Sequence, residues 1–291
     1  MNNKRTLMNK LKRFFLLSTV LSSFSLQVSA KELSPEQLEE EKRSYTFLND
    51  AGDSLWNTPG NWRTGKFKST KSTLVPGKAE DLLIISASAE LIKLDIQCEK
   101  LTTGFHRDSS VHVDGYSSLK SERMLIGFVP NKTHSFTNAG KITTDHLGLK
   151  NGSFSNTGSV ATSSLSIGRK DSKSIDFTNS GKIEIEKDLM IHSKSDQKIN
   201  MTSGIITAAT LRATGDGQLN LHGGKISFDS LKISDDFKID IQGKAKLIIS
   251  GDVKAKLTKR INNGTLTGKG LVIFVNKKQQ TIVTLHEATA I

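Results

Sequence analysis

Residues 134–167 read HSFTNAGKITTDHLGLKNGSFSNTGSVATSSLSI, and this stretch decides the fold. In it an asparagine stands two residues before Gly140 and again before Gly158, and an aliphatic residue follows each glycine by two positions. The same phasing continues at intervals of 18 to 23 residues, at Gly181, Gly204, Gly224, Gly243 and Gly264. Self-similarity at such a period indicates a repeat architecture.

Apolar residues in each unit predict three short strands. The first strand carries one residue two positions after the glycine: Ile142, Val160, Ile183, Ile206, Ile226, Ala245 and Leu266. The second carries pairs seven to ten positions after it: Leu147 and Leu149, Leu165 and Ile167, Leu189 and Ile191, Leu211 and Ala213, Leu231 and Ile233, Leu271 and Ile273. The third carries Ile175 and Phe177, Ile199 and Met201, Leu219 and Leu221, Ile239 and Ile241. A spacing of two gives each strand one apolar face.

Strands this short must bury their apolar faces by stacking coil upon coil, about 4.8 Å apart. We therefore expect an all-β chain that forms a right-handed parallel β-helix with coils of about twenty residues. A β-sandwich would need longer strands joined by hairpins, and a leucine-rich repeat would need a helix in every unit. The β-helix is expected over residues 86–291, with Leu91, Leu94, Ile96, Val111 and Val113 facing inward in its first coils.

The first thirty residues have the composition of a secretory signal. Five basic residues precede a mostly apolar run from Phe14 to Leu26, and Val28-Ser29-Ala30 places small residues before a cleavage point. An N-terminal membrane anchor is the alternative interpretation. The rest of the chain contains no apolar stretch near 20 residues, so we expect an exported protein without a transmembrane anchor, in the periplasm, at the cell surface or outside the cell.

Residues 31–85 form an N-terminal cap in this prediction. Lys31 to Ser44 has the pattern of a short capping helix, with Ser34 as N-cap, Pro35 in the first turn and Gln37 completing a capping box. The pattern W-x4-N-W follows at Trp56, Asn61 and Trp62, then P-x4-D from Pro76 to Asp81, then an apolar strand. This module resembles the opening segment of bacterial secreted β-helix surface proteins, of the autotransporter-passenger-like and PEP-CTERM-associated type. The resemblance implies that the segment starts the first coil, and it implies no catalytic role.

Two sets of polar or aromatic residues allow a structural and a binding interpretation. Trp56 and Trp62 either offer a sugar-stacking surface or cover the open end of the solenoid, which every solenoid must protect. Four asparagines two positions before the phased glycines either bind a ligand or stack as an amide ladder: Asn138, Asn156, Asn179 and Asn262.

The sequence predicts no catalytic residues, no metal site and no cofactor. Glu184 and Glu186 share a strand face, and Asp145-His146 occupies a comparable place in an earlier coil, but no recurring constellation joins them. Phosphate-loop, zinc-protease and nucleophile-elbow motifs are absent from the sequence. Cys98 is the only cysteine, which excludes a disulfide within one chain.

The net charge of +12 is concentrated at the two ends of the chain. The signal segment carries five basic residues, residues 31–240 are balanced, and residues 241–291 carry nine basic and two acidic residues. In this last region Lys244 with Lys246, and Lys254 with Lys256, are predicted to form pairs that share a face. They protect a free sheet edge or bind an anionic polymer. With only two tyrosines to stack on bases, nucleic acid is not an expected partner.

Together these patterns predict an exported, non-enzymatic β-helical module that has a structural or adhesin-like binding role, with anionic polysaccharide as the expected ligand class. A polysaccharide lyase or glycoside hydrolase on the same fold is the alternative, and a bare structural spacer is the third. Self-association is expected through the open end of the solenoid, or through Cys98 if that residue is exposed.

Overall fold

The fold is a stack of coils joined by parallel pairing. The computed structural model describes residues 44–64, 70–76, 82–105, 107–130, 132–169, 172, 175–194, 198–250, 254–275 and 280–285. All of them belong to one compact unit, Glu39–Ile291. The predicted signal segment 1–30 and the predicted capping helix lie outside the described residues, except for Ser44, which begins a strand.

Within the described residues, 23 strands form three sheets. The first and longest sheet contains β1 (Ser44–Phe47), β2 (Trp62–Thr64), β3 (Thr70–Lys71), β4 (Leu82–Ile85), β6 (Asp95–Thr103), β8 (Ser118–Ile126), β10 (Lys141–Leu149), β12 (Ser159–Ile167), β14 (Lys182–Ser193), β16 (Ile205–Gly215), β18 (Lys225–Ile233), β20 (Lys246–Ile249), β22 (Leu271–Val275) and β23 (Gln280–Thr284). The second contains β5 (Ser88–Leu91), β7 (Ser109–Val113), β9 (His134–Asn138), β11 (Gly152–Asn156) and β13 (Ile175–Asn179). The third contains β15 (Lys198–Met201), β17 (Gln218–Leu221), β19 (Lys238–Ile241) and β21 (Leu266–Gly268).

Equivalent residues of successive units lie side by side, which confirms the predicted parallel stacking. Ile142 pairs with Val160, Val160 with Ile183, Ile183 with Ile206 and Ile206 with Ile226. The second predicted row pairs in the same way from Leu147 to Leu231. Between β4 and β22 the paired residues are 18 to 25 positions apart in sequence. All these side chains are buried, so the molecule is a β-solenoid with an apolar interior.

The first and second predicted strands are continuous in most coils, which corrects the expectation of three separate strands. In β10, Ile142 and Thr144 face inward, Asp145 and His146 both face outward, and Leu147 and Leu149 face inward again. Two successive outward residues bend the strand without a turn, because the backbone stays extended on both sides of Asp145. The bent strand therefore contributes two sides of each coil, and the strands of the second and third sheets contribute the remaining side.

The recurring glycines are needed because the coils approach one another closely at this corner. A Cβ atom at Gly158 would clash with the carbonyl oxygen of Gly140, and one at Gly181 would clash with that of Gly158. Gly204 and Gly224 continue the same column, and both also have positive φ. From Gly140 to Gly224 the glycine repeat therefore reflects a close contact between neighbouring backbones, whereas a Cβ atom at Gly243 or Gly264 would meet no such contact.

The last coils depart from the predicted phasing because a helix, α1 (Lys254–Asn262), replaces one side of a coil. Leu266 consequently pairs with Ile239 on the third sheet and not with the row of Ile226. Leu247, and not the predicted Ala245, pairs with Ile226, and Val272 pairs with Leu247. Leu271 and Ile273, predicted to face inward on the second strand, belong to the first side and are only partly buried.

Candidate binding surface

Both tryptophans lie in the interior at the N-terminal end, which favours their structural interpretation over a sugar-stacking surface. Trp56 and Trp62 are fully buried, and their rings meet edge to face with centroids 4.7 Å apart. Trp62 donates its indole N–H to the carbonyl oxygen of Trp56 at 2.8 Å, and Trp56 donates to that of Pro76 at 3.3 Å. A buried ring face cannot stack on a sugar, so the pair belongs to the core of the cap.

The asparagine of the W-x4-N-W pattern fastens the loop that carries the tryptophans. Asn61 is fully buried and donates to the carbonyl oxygen of Leu55 at 2.9 Å and to the carboxylate of Asp53 at 2.5 Å. Its own side-chain oxygen accepts the backbone N–H of Ala51 at 2.8 Å. Hydrogen bonds from Thr58 and then Asn61 lower the pKa of Asp53. The pattern therefore encodes a hydrogen-bonded loop.

Three of the four predicted ladder asparagines stack along the solenoid axis. Asn138 donates to Asn156 at 2.7 Å, and Asn156 donates to Asn179 at 2.8 Å. Asn262 does not extend this stack, because it is the last residue of α1 and is exposed. The three stacked amides are buried and bond to one another, so they are not presented to a ligand.

The four C-terminal lysines do not form two equivalent pairs. Lys244 lies in a turn and Lys246 on β20, and both are exposed. Lys254 and Lys256 are helical, and positions two apart on a helix do not share a face, which corrects the predicted second pair. In register, Lys246 instead lies beside Lys225 of β18.

Lys246 is the last lysine in a row of equivalent positions on the outer face of the longest sheet. Four of these six positions are exposed lysines. Lys141, Ser159, Lys182, Ile205, Lys225 and Lys246 occupy equivalent positions in successive coils. We call these residues the lysine row. Its lysines at 141, 182 and 225 each directly follow a phased glycine, a signal in the sequence that the prediction missed.

A second row of charges lies at the bend of the same strands. The ladder pairing is interrupted at the bend of successive coils, at Glu99, Glu122, Asp145, Ser163, Glu186, Ala209 and Asp229. In β14 a bulge adds a second residue at the bend, the exposed Lys187. We call this the bend row. All of its carboxylates are exposed. It lies about 13 Å from the lysine row, because four residues of extended chain separate them at about 3.3 Å each.

A shallow groove with a cavity volume of about 360 Å³ lies between the two rows. It brings together Asp145, Glu184 and Glu186, which the sequence did not assign to one site, over a floor that includes Ala161 and Thr207. Glu184 pairs with Lys182 at 2.7 Å, and Glu186 accepts a hydrogen bond from the hydroxyl of Ser163 at 2.8 Å. The groove is therefore a polar surface lined by three carboxylates, one of which is paired with a lysine outside the groove.

His146 does not join the carboxylates of this groove. Its Nδ1 lies 2.8 Å from the hydroxyl of Ser164, and its Nε2 lies 3.4 Å from that of Ser166. Burial, and then the positive charges of Arg123 and Lys150, lower the pKa of His146. The imidazole thus lies among serines and cations on the side beyond the bend.

The described part of the chain shows no cluster of three or more His, Cys, Asp or Glu residues able to hold a metal ion. Cys98 is buried, so the exposure that a role in self-association would require is not met. Within the same residues, no helix has the length and apolar character needed to cross a membrane. No protein-family model, curated protein or solved structure matches the chain.

Proposed function

We propose that this protein is an exported, non-enzymatic β-solenoid with an adhesin-like role, and that its C-terminal coils bind anionic polysaccharide. The signal-like segment 1–30 supports export to the periplasm, the cell surface or the medium. The proposal includes a right-handed coil of about twenty residues, since parallel strands joined by crossovers in one sheet are almost always right-handed.

One observation supports an anionic polymer as the ligand. Lys225 and Lys246 are directly adjacent in register, about 4.8 Å apart, and both are exposed. Like charges at this distance repel, and a bound polyanion would relieve that repulsion. Lys244 adds a third exposed cation two residues before Lys246.

The test compares two double variants of residues 31–291. Lys244→Gln with Lys246→Gln removes two cations of the C-terminal coils, and Lys71→Gln with Lys120→Gln removes two exposed lysines elsewhere. We expect the wild type and the control to be retained on immobilised polygalacturonate at low salt and released as salt rises, and the first variant to be retained much less. Equal retention of both variants, or no retention of the wild type, would refute the proposal.

A polysaccharide hydrolase or lyase is the second candidate, favoured by the carboxylates in the groove. Asp145 and Glu186 lie two coils apart, about 10 Å between backbones, and inverting glycosidases separate their carboxyl groups by roughly 6.5–9.5 Å. New chain ends in the same incubation, lost in Glu186→Gln, would establish this activity. Retention without new chain ends supports the binding role. If the protein is not retained and makes no new chain ends, a bare structural spacer is favoured.

A further inference from the structure

From β10 to β18 the lysine row and the bend row are charged in the same coils. The three coils of β10, β14 and β18 carry a lysine in the first row and a carboxylate four residues later: Lys141 with Asp145, Lys182 with Glu186, Lys225 with Asp229. The bulge of β14 also places the exposed Lys187 beside Glu186, so the carboxylate of this coil is partly offset. The two coils between them are uncharged in both rows: Ser159 with Ser163, Ile205 with Ala209. All six charged side chains are exposed, and Ile205 is 41% exposed.

This alternation makes the outer face complementary to itself. If a second copy faces this one and is related by a two-fold axis parallel to the solenoid, the two rows exchange places while the order of the coils is kept. Each lysine then opposes the partner's carboxylate of the same coil, Ser159 opposes Ser163, and Ile205 opposes Ala209. Because a two-fold interface is isologous, every one of these contacts occurs twice.

Other orientations lack this match. A two-fold axis along the strands would place lysine against lysine, which like-charge repulsion disfavours. The row between the two charged rows contains small residues that allow close approach: Thr143, Ala161, Thr207 and Ser227. Its one charged residue in these coils, Glu184, would meet its own copy, and its ion pair with Lys182 only partly offsets that repulsion.

We propose that two copies of this chain associate side by side and parallel through the outer face of β10 to β18. The face is about 19 Å long, four strand spacings, and about 13 Å wide between rows, well below the roughly 800 Å² per partner of a stable interface. The dimer is therefore weak and sensitive to salt. It places both basic C-terminal ends at the same end of the assembly, where they can engage one polymer together.

Sedimentation of residues 31–291 at low salt, up to several hundred micromolar, tests the dimer. We expect the dissociation constant of Lys141→Glu with Lys225→Glu to rise at least about tenfold. Adding Asp145→Lys and Asp229→Lys should restore the wild-type value, because the swapped charges again oppose one another. Glu184→Thr should tighten the dimer.

The control is Lys71→Glu with Lys93→Glu, which makes the same change in net charge at exposed positions outside both rows. Circular dichroism of each variant verifies that it folds. A wild type that stays monomeric, a control as weak as the reversal variant, or a swap that fails to restore association would overturn the proposal. Because Lys244 and Lys246 are unchanged throughout, polysaccharide retention is scored separately.

Discussion

The side-chain amide of Asn156 donates from Nδ2 to Oδ1 of Asn179 at 2.8 Å, although 23 residues separate the two in sequence. Asn156 also accepts from Asn138 at 2.7 Å, so one amide links three coils. The same nitrogen lies 3.3 Å from the carbonyl oxygen of Gly158 in the adjacent turn. The amide stack therefore holds the corner at which the third side of each coil returns to the first.

Replacing the central amide should break this stack at two points. We expect Asn156→Ala to lower the free energy of unfolding by about 2–4 kcal/mol, because two buried amides lose a partner. Chemical denaturation measures this change. Asn262→Ala is the matched control, since Asn262 is exposed at the end of α1, and its effect should stay within about 0.5 kcal/mol. Similar losses in both variants would contradict a structural role for the stack.

Arg260 of α1 is the second residue whose replacement should strongly destabilise the fold. Its buried guanidinium donates to the carbonyl oxygens of Phe237 at 2.8 Å, of Ile233 at 3.4 Å and of Ser234. These carbonyls lie where the helix replaces one side of a coil. The arginine therefore supplies hydrogen-bond donors that the backbone amides of a strand would otherwise provide. We expect Arg260→Met to cost about 3 kcal/mol of unfolding free energy.

The neighbouring Lys259 provides the control for that substitution. It is exposed on the same helix, and Lys259→Met removes the same unit of charge without uncovering buried carbonyls. Urea unfolding of both variants, followed by circular dichroism, makes the comparison. An Arg260→Met protein as stable as Lys259→Met would show that the carbonyls find other donors.

The buried tryptophan pair predicts a simple spectroscopic result. Because Trp56 and Trp62 are the only tryptophans and both are fully buried, the emission of the folded protein should be blue-shifted and weakly quenched by iodide. Unfolding in urea should shift the emission to the red and expose it to quencher. Added polysaccharide should leave the folded spectrum unchanged. Strong iodide quenching of the folded state would mean that the cap is open in solution.

His146 should make stability depend on pH below neutrality. Burial and the charges of Arg123 and Lys150 lower its pKa from 6.5, so the folded state resists the proton that the unfolded state accepts. As pH falls below 6.5, the unfolded state binds more protons and the free energy of unfolding decreases. Arg123→Gln should raise the pKa of His146, measured by NMR of its ring protons, and should reduce this pH dependence. An unchanged titration midpoint would exclude the proposed effect of Arg123.

The central coils could be predicted from sequence because their apolar spacing, their glycines and their asparagines all indicate the same register. Ile142, Val160 and Ile183 stack as expected. The last coils could not be predicted in this way. Asn262 and Gly264 have the spacing of the repeat, but Asn262 is the last residue of a helix. Residues 254–261 read KAKLTKRI, in which six of eight residues are good helix formers, and this composition was the available signal.

The two charged rows depend on register, which is why the sequence did not reveal the outer face. Lys182 and Glu186 are unremarkable as neighbours on one strand. They acquire a pattern only when each is placed beside its equivalents, and the bulge between Ile185 and Asp188 shifts that alignment by one residue.

The unequal separations between paired residues have an evolutionary consequence. Asn138 lies opposite a residue 18 positions away and Asn156 opposite one 23 positions away, so the chain length of one coil can change while the stacked rows remain aligned. Compensating substitutions in descendants of this gene should therefore co-vary at coil-length separations, and not between adjacent residues. Insertions should collect at the corners, where they lengthen a coil and leave its contacts intact.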